Sequence, residues 1–185
     1  MGILILGLSV FFAIHLLPTL PSIHTLLKNR LGEKNFKLTF ALIALTGLVL
    51  IIAGKVSAEF SPLYEPPAWG GLMTALFMLI ALYCLISFKV KTSITMITAH
   101  PMLWGISAWA IGHLLANGDL ASVTLFSSFL TYSLFAIFSG NRRGAKPTGK
   151  ALALSTDAIV LAAALFAGLA LIAYHEGFTG VSLIG

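Results

Sequence analysis

The stretch HPMLWGISAWAIGHLLANGD, residues 100–119, predicts a short apolar helix over 101–116. Pro101 suits the first turn of a helix, where a missing N–H costs nothing, and Asn117-Gly118-Asp119 is typical of a turn. At 100° per residue, one face carries Trp104, Ala108, Gly112 and Ala116. The small residues on that face allow another helix to approach closely. His113 lies beside this column as the ionisable residue inside the helix.

The overall composition is that of an integral membrane protein. Of the 185 residues, 58% are hydrophobic and 9% are charged, and the mean hydropathy is +1.00. A soluble core of this size cannot bury so many apolar residues, so the excess must face lipid. The lipid bilayer is therefore the first predicted partner of the chain.

Six apolar segments predict an all-α integral membrane protein, a six-helix transmembrane bundle in a single domain of residues 1–185. The predicted spans are approximately 2–20, 38–54, 70–88, 101–116, 120–138 and 152–174. The first is interpreted as a retained span, because it has no basic region before it and no small-residue cleavage site after it. Residues 22–37 combine an apolar stripe with basic residues, which predicts a short interfacial helix or a simple extension of the first helix.

The basic residues predict the orientation. With six spans, all of the 11 Lys and Arg residues except Lys55 fall on one side. These are Lys28, Arg30, Lys34, Lys37, Lys89, Lys91, Arg142, Arg143, Lys146 and Lys150. Cytoplasmic loops carry the excess of Lys and Arg, so we expect a bacterial inner-membrane protein with both termini in the periplasm.

Several function classes are excluded by the sequence. It contains no GxGxxG, Walker A, GxSxG or HExxH motif, and its acidic residues are too few for a paired-carboxylate site. The basic residues form short clusters between apolar runs, so no nucleic-acid partner is expected despite the pI of about 9.6. Cys84 is the single cysteine, which excludes a disulfide within the chain and CxxC haem attachment.

His15 and His113 are the strongest candidates for a functional site. Ionisable residues at membrane depth are costly and usually serve a function. Histidine is the common nitrogen ligand of metals and haem, and two histidines on different helices can hold one iron. The alternative for both residues is a neutral imidazole that is hydrogen-bonded between helices.

The remaining ionisable residues have simpler interpretations as well. His100 stands at the entry of the predicted helix, where such a residue satisfies backbone groups, and a functional role is the alternative. His24 and His175 are placed at the interfaces as solvated side chains. Asp157, about one turn into the sixth span, is interpreted as an end-of-helix residue that reaches cytoplasmic water or pairs with Lys150.

A set of motifs in a fixed order resembles the NnrU family of membrane proteins over residues 6–150. They are His15 with Pro18 and Pro21, Leu31-Gly32-Glu33-Lys34-Asn35-Phe36-Lys37, Ile97-Thr98-Ala99-His100-Pro101, Gly112-His113-Leu114 with Asn117-Gly118-Asp119, and Gly140-Asn141-Arg142-Arg143. The family takes its name from a genetic link with nitrite and nitric oxide reduction. It is similar to the plant 15-cis-zeta-carotene isomerase, a haem b enzyme with two axial histidines.

This resemblance implies haem b held by His15 and His113 as iron ligands, with His100 as a supporting histidine. It also implies a small hydrophobic substrate such as a polyene, or nitrogen-oxide respiratory proteins as partners. Depth along the helices keeps another pair open. His15 lies about 21 Å from the start of its helix by the helical rise, which brings it closer in depth to His100 than to His113.

Two other function classes stay open. Membrane methyltransferases of the isoprenylcysteine carboxyl type also have a His-Pro before a short helix, where it helps to hold S-adenosylmethionine. Here Ala99 replaces their arginine, and residues 140–154 contain no acid, so the usual partners of that cofactor are missing. The second class is a non-enzymatic accessory protein of a nitrogen-oxide respiratory system.

Overall fold

A computed structural model describes residues 1–90, 92–147 and 154–179, and within these ranges the chain is helical without a β-strand. The helices are α1 (Gly2–Leu16), α2 (Pro21–Leu31), α3 (Glu33–Val56), α4 (Gly70–Ser87), α5 (Ile94–Ile97), α6 (Pro101–Ala116), α7 (Leu120–Arg142) and α8 (Leu154–Thr179). Lys91 and Lys150, both used above to predict orientation, lie outside the described residues.

The chain is a multi-pass membrane protein. Among the described residues, five helices are long and apolar enough to cross a bilayer: α1 with its following turn, α3, α4, α7 and α8. The sixth predicted span, α6, has the bounds expected from sequence, but its 16 residues reach only about 24 Å, less than the usual thickness of the hydrocarbon core. The all-α membrane class is therefore confirmed, and the count of six crossings stays a prediction.

The segment after α1 is a separate helix. α1 ends at Leu16, a 3-10 turn covers Leu17–Thr19, and α2 begins at Pro21. Proline has no N–H for a helical hydrogen bond, so Pro18 and Pro21 fit the first positions of new helical segments and not the interior of a long one. The alternative of a simple extension of the first span is wrong.

The described chain divides into two compact units. One consists of Met1–Tyr64 with Asp119–Ser128, and the other of Glu65–Gly118 with Phe129–Gly185. Units of this kind also occur within one domain, so the single domain stays a prediction. The candidate histidines are divided between the units: His15 lies in the first, and both His100 and His113 lie in the second.

In the first unit, α1 and α3 pack closely and antiparallel through glycine. A Cβ added to Gly47 would lie 2.8 Å from the backbone nitrogen of Phe11, and one added to Gly7 would lie 2.5 Å from that of Ile51. Such close approach of backbones is typical of membrane helices with small residues at their interface. It sets the position of the last turn of α1, which carries His15.

In the second unit, α4 and α6 form another close antiparallel pair. A Cβ on Gly112 would lie 2.9 Å from the Cβ of Phe77, and one on Gly105 would lie 2.9 Å from the carbonyl oxygen of Ala81. Ala108 and Gly112 of the predicted column are buried, as expected from the sequence. Ala116 of the same column is only partly buried, so the predicted close approach is confirmed at Ala108 and Gly112.

Candidate functional site

His15 lies in the last turn of α1 and is surrounded by aromatic rings. Its Nδ1 is 2.7 Å from the carbonyl oxygen of Phe11. Its ring stacks on that of Phe11 at 4.0 Å between centroids and meets Phe40 edge to face at 5.3 Å. A carbonyl oxygen only accepts hydrogen bonds, so Nδ1 carries the proton and Nε2 carries the lone pair of the neutral imidazole.

His113 has the same arrangement in the last turn of α6. Its Nδ1 donates to the carbonyl oxygen of Trp109 at 2.8 Å, which again places the lone pair on Nε2. The centroids of the Trp109 and His113 rings lie 5.3 Å apart. The ring of Trp109 also meets the ring of Phe129 on α7 edge to face, at 5.4 Å between centroids. The side chain of Asn117 donates to the carbonyl oxygen of His113 at 2.9 Å and closes the end of the helix.

The shared arrangement fits a metal ligand. A histidine that binds a metal usually donates its other ring N–H to a carbonyl or carboxylate, which fixes the tautomer and makes the ligating nitrogen more basic. Both residues do this with a carbonyl four residues earlier in their own helix. Within the described ranges no three His, Cys, Asp or Glu side chains cluster as a metal site, whereas haem needs only one or two axial ligands.

His100 lies at the other end of α6 from His113. Thirteen residues separate them, about 20 Å along the helix, so they do not share a site. The Nε2 of His100 is 3.2 Å from the Oδ1 of Asn141 at the end of α7. This contact joins two of the motifs identified in the sequence, Thr98 to Pro101 and Gly140 to Arg143.

Asp157 is anchored by neighbours within the second unit. Its carboxylate accepts hydrogen bonds from the hydroxyl of Tyr83 at 2.7 Å, from the backbone N–H of Ser93 at 2.9 Å and from the hydroxyl of Ser93 at 2.5 Å. These contacts fix the first turn of α8 to the end of α4 and the loop that follows it. The predicted alternative of pairing with Lys150 concerns a residue outside the described ranges.

His175 lies near the end of α8 and is half-buried. Its predicted position at the interface stays a prediction. Two contacts show the direction of α8. The carboxylate of Asp157, at the start of α8, accepts a hydrogen bond from Ser93, beyond the end of α4. Further along α8, a Cβ on Gly168 would lie 3.6 Å from the side chain of Leu82 within α4. α8 therefore runs antiparallel to α4, toward the end of α4 where Gly112 packs.

A partly buried ion pair fixes the start of α7 in the first unit. Lys55 Nζ is 3.2 Å from Asp119 Oδ1, and the backbone N–H of Ser122 donates to the same oxygen at 3.0 Å. Burial by itself raises the pKa of Asp119, but the hydrogen bonds from Ser122 and Lys55 outweigh it, and the pKa lies below its ordinary value. Burial and the charge of Asp119 raise the pKa of the nearby Tyr64.

A comparison with known proteins identifies the family of this chain. No curated protein and no solved structure matches the chain significantly. A family model described as NnrU protein matches residues 3–183, which is nearly the whole chain. The motifs that carry the resemblance include the residues around His15, His100 and His113. The chain belongs to the NnrU family.

Proposed function

We propose that this NnrU-family membrane protein binds haem b, and that His113 and His15 would hold its iron. The observation that carries the proposal is the hydrogen-bond geometry that the two imidazole rings share. In both residues Nδ1 donates to a backbone carbonyl, at 2.8 Å and 2.7 Å, and the lone pair is on Nε2. This is the protonation state that an iron ligand requires.

The surroundings of both imidazoles support the proposal. Phe11 and Phe40 lie against His15, and Trp109 lies against His113. Flat apolar rings of this kind suit the faces and edges of a porphyrin and exclude water from the iron. His113 is further fixed by Asn117, which holds the carbonyl group of the ligand residue itself.

Bound haem would supply a Lewis acid and a one-electron redox centre. The chain's own contribution is to hold and tune the ligands. The hydrogen bonds from Nδ1 to the carbonyl groups of Phe11 and Trp109 fix each ring in one orientation and raise the basicity of Nε2.

The proposed roles of such a centre are in nitrite and nitric oxide metabolism or in the isomerisation of a hydrophobic polyene. A non-enzymatic accessory protein for denitrification is the alternative within the same family. Substrate turnover by purified haem-loaded protein supports an enzyme. Capture of a nitrogen-oxide reductase from solubilised membranes, with no turnover by the purified chain, supports the accessory role.

We further propose a bacterial inner-membrane location with six crossings and both termini in the periplasm. The distribution of basic residues supports this orientation. A C-terminal alkaline phosphatase fusion is expected to be active. A C-terminal green fluorescent protein fusion that is exported by the Sec route is expected to be non-fluorescent. The reverse pattern contradicts the proposed orientation.

Histidine variants test the haem proposal. His113→Ala is expected to remove or strongly shift the Soret band of the purified protein while membrane insertion is retained. His15→Ala is expected to shift the band, because one of the two proposed iron ligands is lost. His24→Ala is the matched control, since His24 lies on α2 and contacts the ring of Phe36. Spectra that are identical in all three variants contradict ligation by His113 and His15.

A further inference from the structure

A crevice of about 350 Å³ lies beside the N-terminal end of α6 in the second unit. Its lining includes Ile94, Ile97, Thr98, Trp104, Ile137 and Asn141. We propose that this crevice, which we call the α6 crevice, binds the ring of an isoprenoid quinone or its quinol. The site is separate from the proposed haem ligand His113, which lies at the opposite end of the same helix.

His100 assembles the polar side of the α6 crevice. Its backbone N–H donates to the Oγ1 of Thr98 at 3.0 Å, and its Nε2 donates to the Oδ1 of Asn141 at 3.2 Å. One histidine thus holds two polar side chains of the lining. With Oδ1 engaged by the imidazole, the amide of Asn141 presents N–H donors, which a carbonyl oxygen of a ligand can accept.

Gly140 provides the space for this arrangement. A Cβ at position 140 would lie 2.5 Å from Cε1 of His100 and 2.7 Å from its Nε2. Both distances are far below a van der Waals contact, so any larger residue must displace the imidazole. The motifs around His100 and around Gly140 therefore act together to position the imidazole of His100. Neither motif has a role in the proposed haem site.

The lining of the α6 crevice favours a ligand that has a neutral ring and an apolar tail. The lining is mostly apolar, its hydrogen-bonding side chains are the neutral Thr98, Asn141 and Trp104, and it contains no charged side chain. Its volume is at the lower end of ordinary ligand sites and suits a substituted ring better than a whole lipid. Ile97, which lines the crevice, is 79% exposed. An isoprenoid tail can leave the crevice past this residue into the bilayer.

The nearby arginines do not make the α6 crevice an anion site. Arg142 lies over the ring of Phe138 at 5.3 Å, and Arg143 bonds to the hydroxyl of Ser139. Neither arginine lines the crevice. A phosphate head group taken into an apolar crevice needs a compensating charge there, whereas a quinone carbonyl needs only a hydrogen-bond donor.

The test uses the purified full-length protein in detergent micelles and a photoreactive short-chain azidoquinone as the probe. Labelling is expected in peptides that contain residues 94–104 or 137–147, and excess ubiquinone-1 is expected to prevent it. Asn141→Leu removes the amide donor, so we expect the Kd of ubiquinone-1 to rise roughly tenfold, the effect of one lost hydrogen bond. Asn35→Leu, on the exposed start of α3, is the matched control and should bind normally.

Glycine variants add a second comparison. Gly140→Ala should weaken binding through displacement of His100, whereas Gly71→Ala should not, because a Cβ at position 71 meets nothing within 4 Å. The thermal stability of each variant shows whether it is folded. Labelling outside the two peptides, or equal affinity in Asn141→Leu and Asn35→Leu, overturns the proposal. Displacement of the probe by phosphatidylglycerol but not by ubiquinone-1 overturns it as well, in favour of a lipid head group.

Discussion

The hydroxyl of Thr74 lies 2.7 Å from the carbonyl oxygen of Gly112, the residue directly before His113. The same hydroxyl is 2.8 Å from the carbonyl oxygen of Gly70 in its own helix. This contact joins α4 to the last turn of α6, at the point where Gly112 allows the two helices to approach. The position of the proposed haem ligand thus depends on a polar contact between helices.

Thr74→Val is expected to lower the free energy of unfolding by about 1 kcal/mol, because it removes this hydrogen bond while it keeps the shape of the side chain. It should also weaken haem binding. The matched control is Thr46→Val, since the hydroxyl of Thr46 bonds only within α3, to Leu42 at 2.9 Å. Unfolding in mixed micelles measures the difference. Equal stability of the two variants contradicts a role for the contact between the helices.

Gly47→Ala is expected to destabilise the pair formed by α1 and α3. The new methyl group would lie 2.8 Å from the backbone nitrogen of Phe11, whose carbonyl group holds His15. Overpacking of this kind costs about 1–3 kcal/mol. Gly2→Ala is the control, because a Cβ at position 2 meets nothing within 4 Å. Thermal unfolding of both variants measures the effect, and a Gly47→Ala protein as stable as its control would disprove the close packing.

Asp119→Asn is expected to change how stability depends on pH. The pKa of Asp119 is lowered in the folded protein, so the ionised carboxylate stabilises the fold above the unfolded pKa of about 4. This stabilisation is lost as the pH falls below that value, through the folded pKa. The wild type should therefore be more stable than the variant at pH 7, and the difference should shrink below pH 4. A difference in unfolding free energy that is independent of pH would contradict the prediction.

Asp157→Ala should lower the melting temperature more than Tyr83→Phe does, because it removes all three bonds that the carboxylate accepts from described residues, and Tyr83→Phe removes one of them. In the double variant the two losses should not add, since both changes break the same contact. Melting temperatures of the wild type, the two single variants and the double variant measure this coupling. Additive losses would show that Tyr83 and Asp157 act independently.

Local signals in the sequence were sufficient to predict α6. Pro101 and the turn after Ala116 set its ends at the positions that the structure shows. The other apolar segments also appear as helices, because hydropathy is a property of each segment alone. The end of α1 was predicted four residues late, since Leu17 to Leu20 remain apolar although the helix stops at Leu16.

The partners of the polar side chains could not be predicted in this way. Ser93 reaches Asp157 across 64 positions of the chain, and His100 reaches Asn141 across 41. Such contacts depend on how helices pack and on which glycine allows an approach. The tautomers of His15 and His113 depend on backbone carbonyl groups in their own helices, which the sequence leaves open until the rotamers are known.

The central claim, that intramembrane histidines of this chain ligate haem iron, is tested most directly by the absorption spectrum of the purified wild-type protein. The cells should be grown with ample iron, and the spectrum should be recorded oxidised and then after reduction with dithionite. The account predicts a Soret band, in near-stoichiometric amount, that shifts on reduction. A colourless protein that also fails to take up added haemin contradicts it.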